Sequence, residues 1–312
     1  TKCINIYIYY IYNNILILFL FLFIFIYYII NSRIEKLTLQ NTILQNKNIP
    51  KIIWGYWNNK NNIPLLVTKC YKNWEHFNPD WKINLLNDDN LNLYLNKNEL
   101  KSLNNINKIQ KKSDLIRLYL LSKYGGIWSD SSIFLTESLD WVLNLQQNKK
   151  FDIFTYEADF FTTIKNKPVL ENWFIACIPN TKFINLWKND FKNYLKIGFK
   201  NYMKKLGNNF NIQKIDNPKY LTMHVAGLNI QYNNNNLNIY TLPASQGPFY
   251  YQVKYNWNKQ KTINYMLNNK INNKLNKNIK LIKFRGNERK LLKKLYKNKL
   301  KKNSIFDIYL KL

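Results

Sequence analysis

Hydrophobic and polar positions divide the chain into a long apolar start and a longer alternating remainder. The 30 residues from Cys3 to Ser32 carry no formal charge, and Ile15 to Ile30 is an unbroken run of Ile, Leu, Phe and Tyr. A helix crosses a bilayer with ~20 mainly apolar residues, so residues 4–30 are expected to form a single-pass membrane anchor. Tyr9, Tyr10, Tyr12, Tyr27 and Tyr28 lie near the two candidate ends, where interface aromatics belong. A cleaved signal peptide has a shorter apolar region ending in small residues, whereas this run ends in Ile-Ile-Asn-Ser-Arg. Lys2 on one side and Arg33, Glu35 and Lys36 on the other leave the orientation balanced. Residues 31–48 are polar, without strong periodicity, and suit a short stem.

Beyond residue 49 the pattern alternates between strand and helix. Lys51-Ile-Ile-Trp-Gly-Tyr-Trp57 reads as a buried strand. Pro64, then Leu65, Leu66, Cys70 and Trp74, have helical spacing, and Trp81-Lys-Ile-Asn-Leu-Leu86 reads as a second strand. Leu115, Leu118 and Leu121, widened by Ile116 and Leu120, make 108–126 the clearest helix, with Gly125-Gly126 as its left-handed stop. Strands are expected at 127–135, 151–156 and 172–178, and Asn180 can cap a helix over 181–195. This order predicts an α/β sheet flanked by helices over 49–253. The Asn runs at 233–236 and 268–276 read as surface loops.

Composition narrows the class. With 47 Lys plus Arg against 18 Asp plus Glu the net charge is +29, yet 46% of residues are hydrophobic, too many for a disordered basic tail. Eight Gly and eight Pro exclude collagen-like or linker-like chains, and Cys3, Cys70 and Cys177 are too few and scattered for a disulfide framework. With 53 Asn beside the many Lys, Ile and Tyr, the residue set is one an AT-rich genome encodes, so the charge reads either as coding bias tolerated on the surface or as attraction to an anionic substrate or membrane. Despite those 53 Asn there is no Asn-x-Ser/Thr acceptor site, which favours a domain that never meets the N-glycosylation machinery. From residue 254 onward 18 Lys or Arg face only Glu288 and Asp307. Within 288–302, Leu291, Leu292, Leu295, Tyr296 and Leu300 form one stripe, either packed on the domain or resting on anionic lipid.

Candidate chemistry centres on three acidic and basic positions. Helical spacing makes Asp114 and Arg117 neighbours, as a local ion pair or as part of a site. Asp130 follows at once in Trp128-Ser-Asp-Ser-Ser132, inside an apolar strand region where an unpaired charge is costly. A strand-borne Asp at the crevice of an α/β sheet suits divalent metal and diphosphate. No phosphate-loop, His-Glu-x-x-His or CxxC pattern points to another enzyme class.

Together, Pro50-Lys-Ile-Ile-Trp-Gly-Tyr-Trp57, Ser113-Asp-Leu-Ile-Arg117 and Tyr124-Gly-Gly-Ile-Trp-Ser-Asp130 resemble the capsular polysaccharide synthesis protein family of glycosyltransferases. That family is related to the initiating α-mannosyltransferases and the glucosylating toxins. Tyr220-Leu-Thr-Met-His224 and Leu242-Pro-Ala-Ser-Gln-Gly-Pro248 resemble further family blocks. The resemblance implies a GT-A fold, a nucleotide-sugar donor, a glycan or glycoconjugate acceptor, and Mn²⁺ or Mg²⁺. It implies that Trp54 stacks on the base, with Trp128 also at the nucleotide, that Asp114 and Arg117 bind the donor sugar, and that Asp130 faces metal and diphosphate. Where many such enzymes have Asp-x-Asp, Ser132 replaces the second acid. Ser131 and Ser132 could still offer neutral oxygens, and His224 could complete the metal site or be a buried, hydrogen-bonded histidine. His76 reads as structural. Glu157 and Asp159 are candidates near the acceptor or exposed loop acids, and Lys283 and Arg285 could meet the diphosphate. Two other readings stay open: a silent sugar-nucleotide or glycan-binding relative, suggested by Ser132, and a membrane-tethered polyanion binder, suggested by the charge. Nucleic acid is not an expected partner.

Overall fold

The computed structural model describes residues 25–31, 47–270 and 279–311, apart from the side chains of 296–298. The chain divides into two units, Thr1–Asn48 and Ile49–Leu312. In the first, residues 25–31 are helical and exposed; the rest of the expected anchor and almost all of the expected stem lie outside the described residues. No helix among the described residues is long and apolar enough to cross a membrane.

The second unit is a mixed α/β fold. Its main sheet comprises β1 (Ile52–Tyr56), β2 (Lys82–Leu86), β3 (Gly126–Ser129), β5 (Ile153–Glu157), β6 (Leu170–Cys177) and β7 (Ile239–Pro243), in the order β2-β1-β3-β6-β5-β7. β1 runs parallel to β2 and β3, β5 parallel to β7, and β6 antiparallel to both β3 and β5. The C-terminal ends of five strands therefore meet the N-terminal end of β6 along one edge. The inner strands β1, β3, β6 and β5 are buried on both faces, which is why they read as near-continuous apolar runs, whereas the edge strands β2 and β7 are only partly covered. On one face Trp54 and Trp128 pack with Leu115, Leu118, Trp187 and Met223, which come from α3 (Ile109–Tyr124), α5 (Lys182–Leu206) and α6 (Thr222–Asn233). On the other, Ile53, Ile127 and Phe154 meet Val67, Tyr71 and Trp74 of α1 (Leu65–Phe77) and Val142 of α4 (Asp140–Lys149). Each large apolar side chain fully buried this way contributes about 1.5–3 kcal/mol. A short α2 (Lys97–Asn104) is closed by a capping box between Asn96 and Glu99.

Gly125 and Gly126 join α3 to β3 with φ of 63° and 87°. This left-handed backbone favours glycine, and a Cβ on Gly126 would stand 2.6 Å from the Ile52 carbonyl oxygen. The tight turn delivers the chain directly from the Arg117 helix to the Asp130 strand.

The single strand expected over 127–135 is broken into two strands in two sheets. β3 ends at Ser129, and β4 (Ile133–Leu135) pairs antiparallel with β8 (Leu281–Lys283), setting Ile133 opposite Lys283. Side chains explain the break. The Ser131 hydroxyl donates to the Tyr56 carbonyl at 2.8 Å and the Ser132 hydroxyl to the Phe284 carbonyl at 3.2 Å, so both compete with ladder pairing. Asp130 consequently stands at a corner, not within a strand.

The basic C-terminal region is built into the unit beginning at Ile49, without a boundary at 253–254. It contributes β8 as well as α7 (Tyr250–Lys254), α8 (Lys259–Asn268), α9 (Gly286–Lys299) and α10 (Ile305–Leu310). Phe134 of β4 and Cys70 of α1 share a core with Ile263, Phe284, Leu292 and Phe306. Glu288 in α9 is completely buried, accepting from the Arg285 backbone N–H at 2.8 Å and from Gln252 Nε2 at 3.2 Å.

Candidate active site

The corner places Asp130 at the C-terminal edge of the sheet with its side chain 28% exposed. Lys283 Nζ lies 2.7 Å from Asp130 Oδ2. On Oδ1, the Trp128 indole donates at 3.0 Å and the Arg117 guanidinium approaches to 3.4 Å. Burial works against ionisation of Asp130. The charges of Lys283 and Arg117, with the hydrogen bonds from Lys283 and Trp128, outweigh it and hold the carboxyl below the ordinary range.

Arg117 links Asp130 to the helix behind it. Its guanidinium lies 3.1 Å from Asp114 Oδ1, 4.9 Å from the centroid of the Trp128 ring, and donates to the Asn172 carbonyl. Asn172 Nδ2 donates back to Asp114 Oδ1 at 3.1 Å. Asp114 is 7% and Arg117 4% exposed, so this i, i+3 pair is internal and joins two carboxylates. Burial raises the Asp114 carboxyl above its usual value, against Arg117, Lys111 and His224. Lys283 also donates to Ser132 Oγ at 3.0 Å. Burial draws its ammonium below the ordinary lysine range, helped by the charges of Arg289 and Arg117 and opposed by Asp130.

The expected metal set does not assemble. His224 Nε2 is 3.2 Å from Glu171 Oε2, both residues are buried, and Nδ1 has no partner among the described residues. Ser132 turns its hydroxyl to a carbonyl and accepts from an ammonium, while both Asp130 oxygens face cations. Among the described residues no three His, Cys, Asp or Glu side chains converge. This donor set does not suit Mn²⁺ or Mg²⁺, which take several oxygens from carboxylates, carbonyls or water.

Other expected residues are dispersed. Trp54 is 1% exposed, donates to the Gly125 carbonyl at 2.8 Å and packs against Tyr94 and Tyr124, which leaves no face for a base. Its strong apolar neighbourhood, which made it conspicuous, is a core signal. Trp128 is equally buried and reaches the site through its indole N–H on Asp130 and its ring face under Arg117. Glu157 ends β5, two strands from β3, where it accepts from Thr241 at 3.2 Å and burial raises its carboxyl. Asp159 accepts from the backbone N–H of Ser245 at 3.0 Å. Arg285 is committed to Glu288 at 2.8 Å, the Trp257 carbonyl at 3.1 Å and the Trp257 ring. His76 lies on α1 beside Phe77.

Four contributors were not legible beforehand. Tyr71 meets Ser131 Oγ at 2.6 Å and braces the corner. Glu171 and Asn172 enter from the start of β6. Arg289, on the first turns of α9, lies 5.9 Å over the Trp57 ring just past the end of β1. Lysine-rich surroundings hid it; its place right after the β8–α9 turn was the available clue.

Several known proteins share parts of this chain. The O-glycosyltransferase braB of Annulohypoxylon truncatum is 33% identical over 162 residues, 46% of this chain, and the match spans 37% of that relative's length. Among solved structures, the PaToxG glycosyltransferase is 16% identical with a TM-score of 0.39, covering 65% of this chain and 86% of that one. The galactosyltransferase LgtC in complex with donor and acceptor sugar analogs is 8% identical with a TM-score of 0.40, covering 83% and 99% respectively. The pattern of the capsular polysaccharide synthesis proteins matches far more of the sequence, residues 24–312, and the chain belongs to that family.

Proposed function

We propose that this protein is a glycosyltransferase of GT-A type that moves a sugar from a nucleotide-sugar donor to a glycan or glycoconjugate acceptor. The observation that carries the reading is the corner carboxylate Asp130, held between Arg117 and Lys283 at the C-terminal edge of the sheet, where α/β folds bind ligands. Family membership and the braB relative support the same chemistry. Asp114 and Arg117 would receive the hydroxyls of the donor sugar, and Asp130 would keep Arg117 and Lys283 in place. In transfer, the bond from the anomeric carbon to the diphosphate oxygen breaks and its electron pair leaves with the nucleoside diphosphate. The acceptor oxygen forms the new bond, and its proton passes to an oxygen of the departing diphosphate or to water. The apolar stretch at 4–30 would tether the enzyme to a membrane; carbonate extraction of the full chain into the soluble fraction would overturn that part.

The test is a panel of nucleotide sugars incubated with purified protein, following both transfer and slow hydrolysis to free sugar. One active donor, lost in Asp114→Asn while the variant still unfolds cooperatively above the assay temperature, supports the reading. No turnover with any donor, but salt-sensitive binding of polyanions, would overturn it in favour of a polyanion binder.

A further inference from the structure

We infer that the positive charge that stabilises the departing nucleoside diphosphate comes from the side chains of Lys283, Arg117 and Arg289, and not from a divalent metal. The inference rests on the glycosyl-transfer reading for its ligand, a nucleoside diphosphate. Its observations are independent of that reading.

A metal-dependent site presents carboxylate oxygens toward a vacant position. Here Asp130 presents both oxygens to cations, Oδ2 to Lys283 at 2.7 Å and Oδ1 to Arg117 at 3.4 Å. A dication bound to Asp130 would confront an ammonium at close range. Ser132 adds no charge, since its oxygen accepts from the same ammonium at 3.0 Å. Two of the three Lys283 donors are thus used, leaving a third for a phosphate oxygen. Arg289 extends the cationic surface to Trp57 at the sheet edge. Three cations therefore meet two carboxylates, Asp130 and Asp114, and the surplus is positive.

That surplus matches the reaction. When the glycosidic bond to the diphosphate breaks, one negative charge develops on the leaving oxygen, and a fixed cation placed there lowers the barrier without reorganising. A buried ammonium supplies this as a metal would. In this arrangement Asp130 is a positioning residue that aims Lys283 and Arg117.

The experiment uses inorganic pyrophosphate as probe, titrated calorimetrically into the full chain in excess chelator and again with Mn²⁺. Wild type should bind in chelator, with little change on adding Mn²⁺. Lys283→Met and Arg289→Met should each weaken binding by about tenfold or more, the loss of one charged hydrogen bond. Arg289 is only half-buried, so its variant tests the idea even if Lys283→Met fails to fold. Asp130→Asn should keep or tighten pyrophosphate binding, because it releases two cations. Binding that needs Mn²⁺ and vanishes in Asp130→Asn overturns the inference. The two readings fail separately. Transfer that stops in chelator and returns with Mn²⁺ refutes the cation site and leaves glycosyl transfer standing. Metal-free pyrophosphate binding with no turnover on any donor does the reverse.

Discussion

Arg117→Ala should be among the most destabilising single changes in the chain. Its guanidinium is internal, bonds to Asp114 at 3.1 Å and Asp130 at 3.4 Å, and donates to the Asn172 carbonyl. Asp130 retains Lys283 and Trp128 after the change, so the larger penalty falls on Asp114, left with Asn172 as its direct partner. Removing one partner of a buried ion pair costs about 3–5 kcal/mol, and loss of the cation from the face of Trp128 adds up to about 2 kcal/mol. Against a typical total of about 5–15 kcal/mol, the variant should fold but with a marked drop in its urea midpoint. Tryptophan fluorescence would follow the transition, and an unchanged m-value would confirm that stability alone has moved. The double variant Asp114→Asn/Arg117→Ala removes both charges and should cost less than the sum of its two single variants, which gives a coupling energy from the cycle. A cost below about 1 kcal/mol for Arg117→Ala is the signature of an exposed pair and would refute the internal bridge.

Gly126→Ala combines a left-handed backbone with a Cβ 2.6 Å from the Ile52 carbonyl oxygen, so chemical denaturation should register more than the about 1–2 kcal/mol of the backbone conformation alone. Pyrophosphate affinity should decline with alkaline pH before the ordinary lysine value of 10.5, because burial lowers the Lys283 ammonium amid Asp130, Ser132, Arg117 and Arg289; a flat profile in Lys283→Met would complete the assignment, and a flat wild-type profile would refute it. Since the folded-state value of Asp130 is depressed, its carboxylate supports the fold above the unfolded value of about 3.9 and loses that support as pH falls through the folded value. Acid unfolding of Asp130→Asn should therefore be shallower below about pH 4. Ser132→Asp puts a second carboxylate beside Lys283, which should weaken metal-free pyrophosphate binding and create Mn²⁺ affinity detectable by calorimetry; absence of both effects would mean that the side chain turns away from the corner.

Periodicity located the elements well where burial was regular. The helix ending at Gly125-Gly126, the first two strands and the Asp114, Arg117 and Asp130 neighbourhood were all legible, because apolar spacing and a glycine pair are local signals. The corner at Asp130 was not. Apolar residues flank the polar run Ser129-Asp130-Ser131-Ser132 on both sides, and nothing local reveals whether that run is a site carried on one strand or, as here, a break in which Ser131 and Ser132 turn to Tyr56 and Phe284. Trp54 was misread for a related reason: a tryptophan at a strand end looks the same whether it faces ligand or core. His224 found Glu171, 53 positions away, a pairing that no spacing rule contains. Lys283 could be named as a candidate for the diphosphate but not paired with Asp130, and Arg289 was hidden by composition, since one basic residue among 18 carries little information until its partner is known.

The pairing of β4 with β8 has a consequence for synthesis. Asp130 and Lys283 stand 153 positions apart in sequence, and every strand of the main sheet has already been translated by Pro243. At about 5–20 residues per second, the nascent chain carries Asp130 and Arg117 for roughly 8–30 seconds before Lys283 and Arg289 can reach them. Fragments that stop before β8 lack two of the three cations, so they should be unable to hold a diphosphate however well their sheet is formed. On the cation reading, competence to bind the donor arrives only once β8 and α9 have been made, and fragments lacking them should leave the donor pool untouched.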